Sequence, residues 1–306
     1  MIREEYDYQD LKSFLDSQET VLIAGWPTQE ERSFFFSDIW KSQKREVILL
    51  NKPNDQIGDM DVIYYSPDGT ENKNVVNLRF RLLTWLKKLH LNSKVVILDL
   101  SSLDNVLVMY LAKIIVNDIC PKLFFATYIR PEKYIQQTGD IGFNLCDQVS
   151  PVSVVPGFAK RITTSPLLYA FIGFDGIRLK NIVESESNIQ NIVPIVPFPT
   201  DAPNWYRTTI WNSMEIINGF EDISIRKCLS DSVFEAVDLL NEMVPQNKEI
   251  ILVPLGTRPH SLACALFANI HPHAKILYDY VTENEHRAMG IATIKVYHLT
   301  SFIKIY

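Results

Sequence analysis

The chain has 306 residues, 47% hydrophobic and 22% charged, with a formal net charge of −6. That length allows two ordinary domains, that composition excludes a disordered chain, and the acidic balance gives no overall drive toward nucleic acid or anionic membranes. Four widely spaced cysteines (Cys120, Cys146, Cys228 and Cys264) form no C-x-x-C pair, the residues from Met1 to Tyr6 are too polar for a signal peptide, and no apolar run reaches the roughly 18 residues that span a bilayer, so a reduced, cytoplasmic protein is expected.

In chain order, residues 7–18 have the spacing of a short amphipathic helix, with Leu11, Phe14 and Leu15 on one face. Residues 20–25 read as a buried strand, followed by a helix through Trp40 that Thr28 can cap. Strands are predicted at 46–50, 94–99 and 123–128, with an edge strand at 61–65 and helices over 74–90 and 103–119. The region from Pro131 to Ser165 is irregular. A similar order then returns: strands at 167–172, 191–196, 249–254 and 274–279, helices between them, and a last strand at 292–297. Strands alternating with helices imply right-handed crossovers and parallel pairing. The expected fold is α/β, with two tandem Rossmann-like domains and mainly parallel sheets; one large mixed sheet is the alternative. Residues 1–135 form the first, 136–165 the connection, and 166–306 the second, which carries the ligand site.

In a parallel sheet the loops after the strands share one edge, where ligands bind, and a helix start there attracts anions. The most informative loop follows the apolar run Ile250–Pro254. It carries Gly256, Thr257, Arg258 and His260, with Pro259 placed to start a helix. Gly256 permits close backbone approach, Thr257 offers a hydroxyl, and Arg258 offers a planar fork for phosphate or carboxylate. Gly173, Asp175 and Gly176 follow another strand of the same half; Asp175 can hold a ribose hydroxyl or cap a helix. Asp279 and Arg287 lie after the strand at 274–279, and Arg287 is a further candidate for ligand contact. If the site is catalytic, His260 and Asp279 are the acid–base candidates. Neither G-x-G-x-x-G nor a Walker motif occurs, and His271-Pro272-His273 lacks a third ligand nearby, so no cofactor and no metal are expected.

The stretch Leu252–Ala268 resembles the fourth-strand motif of CRISPR-associated Rossmann-fold (CARF) domains. Gly256-Thr257-Arg258 matches the Gly-Thr-Lys part of their turn, and Ser261-Leu262-Ala263 matches the start of the following helix. Leu255 and Pro254 replace the expected Gly and Thr. In tandem, such domains are similar to the SAVED sensors of bacterial anti-phage systems. The resemblance implies a protein that senses a nucleotide-type phosphoester, an anionic small molecule, with the effector on a separate chain. The residues themselves leave two alternatives open: a hydrolase or transferase acting on a phosphorylated or nucleoside substrate at the same site, and a structural subunit of a larger complex.

Overall fold

The computed structural model describes residues 4–26, 28, 30–51, 58–135, 146–148, 151–186, 188–198, 203–221, 223–283 and 288–304. Its elements begin with β1 (Glu4–Asp7), α1 (Tyr8–Ser17), β2 (Thr20–Gly25), α2 (Glu31–Ser42), β3 (Glu46–Leu50), β4 (Asp59–Tyr65), β5 (Glu71–Asn77), α3 (Leu82–Lys87), β6 (Val95–Asp99), α4 (Asn105–Ile114), β7 (Leu123–Arg130) and β8 (Lys133–Tyr134). There follow β9 (Cys146–Gln148), β10 (Ser153–Val154), β11 (Leu167–Phe171), α5 (Gly176–Ser185), β12 (Asn191–Pro197), α6 (Pro203–Ile217), β13 (Arg226–Cys228) and α7 (Val233–Met243). Last come β14 (Ile250–Pro254), α8 (Arg258–Ile270), β15 (Ala274–Tyr278), β16 (Thr282–Glu283), β17 (Ala288–Met289) and β18 (Thr293–His298). The fold is mixed α/β with largely parallel sheets. It divides into unit 1, residues 1–135 with 288–306, and unit 2, residues 136–287.

Among the described residues, the main sheet of unit 1 runs β1-β18-β7-β6-β2-β3-β4-β5. The central strands β7, β6, β2 and β3 are parallel. β2, β3 and β6 are buried throughout, as expected of strands covered on both faces. On one face Leu22, Ala24, Val47 and Ile97 pack with Phe36 and Trp40 of α2 and Tyr8 and Leu15 of α1. Asp7 caps α1 by accepting from Gln9 N at 3.0 Å, and Asp104 caps α4 from Val106 N at 2.8 Å.

Two expectations for this unit are corrected. Residues 74–90 do not form one helix: Glu71–Asn77 is an edge strand antiparallel to β4, and α3 begins only at Leu82. Gly69, with φ of 87°, turns the hairpin, and Val75 is 65% exposed. The apolar spacing from Val75 to Leu89 fits a helix, but pairing with β4 decides the conformation of its first four residues. The final strand, assigned by sequence to residues 166–306, lies in the sheet of unit 1. β18 sits antiparallel between β7 and β1. That makes unit 1 discontinuous in sequence, and antiparallel pairs at both ends make its sheet mixed.

The main sheet of unit 2 runs β10-β15-β14-β11-β12-β13, parallel except for β10. β10 comes from the region read as a connection, and β13 was not expected. Side chains alternate along β11. Leu168, Ala170 and Ile172 join a core with Leu179 and Ile182 of α5 and Ile217 of α6. Tyr169 and Phe171 face the other way: Tyr169 donates to Met243 O of α7 at 3.1 Å, and Phe171 lies against His260 of α8. The helix pairs α5–α6 and α7–α8 therefore cover opposite faces. No helix among the described residues is long and apolar enough to cross a membrane.

Candidate functional site

In unit 2 the chain leaves β11 for β12 and β13 on one side, then crosses to β14 and β15 on the other. The reversal lies between β11 and β14, and in open α/β sheets such a reversal opens the ligand crevice at the carboxyl ends of the strands. Two loops meet there. A Cβ on Gly173, after β11, would lie 2.5 Å from Leu255 O, after β14. Unit 1 repeats the arrangement at its own reversal, between β2 and β6: a Cβ on Gly25 would overlap Ser102 O. There the described polar groups of the loop after β6 bond internally. Asp99 accepts from Ser101 N at 3.0 Å and from Ser102 Oγ at 2.6 Å; Ser102 Oγ accepts from Gly25 N at 2.9 Å; and Ser101 Oγ accepts from Ile129 N at 2.7 Å.

In unit 2 the loop after β14 leads directly into the first turn of α8. Thr257 occupies the N-cap position, Pro259 lies in the first turn, and no side chain caps the helix by a hydrogen bond among the described residues. The start of this 13-residue helix is the positive end of its dipole, and Pro259 contributes no N–H there. Gly256, Thr257 and Arg258 are half-buried at this point. The Thr257 hydroxyl donates to Ser230 O at 2.5 Å, in the loop between β13 and α7.

His260 is fully buried, its ring centroid 4.7 Å from that of Phe171. Nε2 lies 2.8 Å from Leu229 O, the atom before Ser230 in the same loop. Burial pushes the imidazole down to about 4, so at neutral pH the ring is uncharged and Nε2–H is the donor. Nδ1 has no partner and points at Gly256, where a Cβ would lie 2.7 Å away. Gly256 is therefore required by the ring beneath it. The acid–base role expected of His260 is not supported by this geometry, because the ring reaches no solvent.

The depressed pKa of His260 has a consequence for stability. Unfolded, the ring takes a proton near 6.5; folded, it resists until about 4. Its contribution is complete above 6.5 and is lost as pH falls toward 4. Denaturant unfolding should show this group costing about 2 kcal/mol between about pH 7 and about pH 5, a difference that His260→Gln removes.

Asp279, the other acid–base candidate, is also spent internally. It is wholly buried at the end of β15 and accepts from Arg178 Nε at 2.9 Å and Nη2 at 2.6 Å. The Arg178 guanidinium lies 5.1 Å from the Tyr278 ring. Because β14 lies between β15 and β11, this pair reaches across the carboxyl end of β14. Asp175, half-buried, stands at the N-cap position of α5 without a capping side-chain bond. Gly176 serves packing, since a Cβ there would overlap Asn212 O of α6. Arg287, with Glu285 and His286, lies outside the described residues.

The carboxyl edge of the sheet thus brings together Gly173, Gly256, Thr257 and Arg258, while His260 and Asp279 are buried beside them and Gly176 packs on α6. The sequence reading missed Arg178 and the loop Leu229–Ser232. That loop did carry one local signal: Ser232 caps α7 by accepting from Glu235 N at 3.2 Å, and the Glu235 carboxylate accepts from Leu229 N at 2.9 Å. Comparison with family models, curated proteins and solved structures returned no match for this chain.

Proposed function

We propose that unit 2 is a binding module for a nucleotide-type phosphoester, held at the carboxyl edge of its sheet against the first turn of α8. One observation carries this reading: the strand-order reversal, the Gly173–Leu255 approach and an uncapped helix start coincide. Gly256 and Thr257 would offer backbone N–H groups to the phosphate, and Arg258 a charged fork. The matching glycines at the two reversals support a tandem Rossmann-like arrangement derived by duplication, in which unit 1 has lost or never had an open crevice. In the SAVED-like setting that the turn motif suggests, the output passes to an effector on another chain. The hydrolase or transferase reading has weaker support, because both of its acid–base candidates are buried and bonded.

Native mass spectrometry of protein purified from its own host, beside Arg258→Ala, tests this. A phosphate-containing small molecule should be retained by the wild type and lost from the variant. Removing one charged hydrogen-bond donor should weaken titrated binding by roughly ten-fold to a hundred-fold. The structural-subunit reading draws on Trp211, 79% exposed on α6, with Ile177 and Met214 also exposed on α5 and α6. A co-purifying protein with no small molecule in either sample would favour it instead.

A further inference from the structure

α6 buries one side through Ile210, Ser213 and Ile217. The opposite stripe stands in solvent: Arg207, Trp211, Met214 and Glu215 recur at helical spacing and all are exposed. Trp211 is 79% exposed, whereas Trp40 of α2 is wholly buried. The neighbouring helix adds to this stripe. Gly176 abuts Asn212, and Lys180 Nζ lies 3.9 Å from Glu215 Oε1, so α5 and α6 stand side by side. Ile177, one turn before Lys180, is therefore level with Trp211, one turn before Glu215; it is 54% exposed. An exposed tryptophan with two further apolar side chains around it, bordered by charges, has the anatomy of an interface core and its polar rim.

The charges are arranged about Trp211. Arg207 stands four residues before it and Glu215 four residues after it, on the same stripe. When α6 lies antiparallel against a copy of itself, with Trp211 on the two-fold axis, each Arg207 faces the Glu215 of the other copy. Both contacts then join opposite charges, and the patch is complementary to itself, as an isologous dimer requires. The two Trp211 rings meet at the centre, flanked by Met214 and Ile177. The 15 residues of α6 span about 22 Å. One helix face with part of α5 is at the small end of specific interfaces, so dimer and monomer should exchange at micromolar concentrations.

We infer that the α5–α6 face of unit 2 is a homodimer interface, covered by a second copy of this chain in antiparallel contact about Trp211. This stands apart from the phosphoester reading, because α5–α6 and α8 lie on opposite faces of the sheet.

Sedimentation velocity of the whole chain across the micromolar range tests it and should show a monomer–dimer equilibrium. Trp211→Ala should weaken that equilibrium by about thirty-fold or more, with the circular dichroism spectrum unchanged because the side chain is exposed. Arg207→Glu alone, or Glu215→Arg alone, sets like charges opposite each other at both contacts and should weaken the homodimer roughly three-fold to ten-fold. Mixing these two variants restores opposite charges at both contacts, so the mixed dimer should form in preference to either homodimer. A dimer that survives Trp211→Ala, or a mixture no tighter than its two components, would overturn the interface. A chain that stays monomeric throughout would overturn it too and leave the face to a different protein.

Discussion

Asp279→Ala should cost unit 2 about 3–5 kcal/mol, read as a shift of its denaturant midpoint. The carboxylate is wholly buried and takes two bonds from Arg178, whose side chain is only 7% exposed. Two opposite charges in that setting offset each other's desolvation; removing one leaves the guanidinium without its counter-charge. The pair also ties the first turn of α5 to the end of β15, across β14. A control separates these effects. Arg178→Met with Asp279→Leu removes both charges and refills the volume, and should recover most of the loss. If the double variant is as unstable as the single one, geometric bridging rather than charge balance is the pair's contribution.

Gly176→Ala is the second large effect, expected to cost about 3 kcal/mol, at the upper end of what overpacking produces. Ala normally stabilises a helix relative to Gly by roughly 0.5–1 kcal/mol, so the predicted sign opposes propensity. The reason is contact: the added methyl would occupy the same space as Asn212 O, and backbone cannot rotate away as a side chain can. Asn212 is doubly committed, since its Nδ2 donates to Phe174 O at 2.7 Å. Relief would need α5 and α6 to separate, drawing Leu179 and Ile217 apart in the core they share. Thermal melts check it: a variant as stable as the wild type would mean that the two helices slide freely.

The parts of this protein legible in its sequence are those specified by neighbours in the chain. The apolar run Ile250–Pro254, the Gly256 turn and the Pro259 helix start are local signals, and β14 and α8 stand where those signals place them. The reading failed where a distant partner decides. Glu71–Asn77 is a strand because β4 pairs with it, against a spacing that suits a helix. Asp279 looked like a free carboxylate at a strand end because Arg178 lies 101 residues away. His260 looked like an acid–base group because nothing nearby in sequence reveals that its ring is buried and bonded to Leu229 O. A residue type suited to chemistry is equally suited to fastening a loop, and only the three-dimensional partner distinguishes the two.

The return of β18 to the sheet of unit 1 bears on how the chain is made. Unit 2 is one uninterrupted segment set inside unit 1. During synthesis all strands of its main sheet emerge before β18 exists, so unit 2 can complete itself while unit 1 still lacks the strand between β1 and β7. Until then, the edge of β7 is open to pairing with any other chain nearby. Chains stalled or cut before residue 293 should therefore aggregate through unit 1 while unit 2 remains folded, which makes β18 the strand on which the sheet of unit 1 waits.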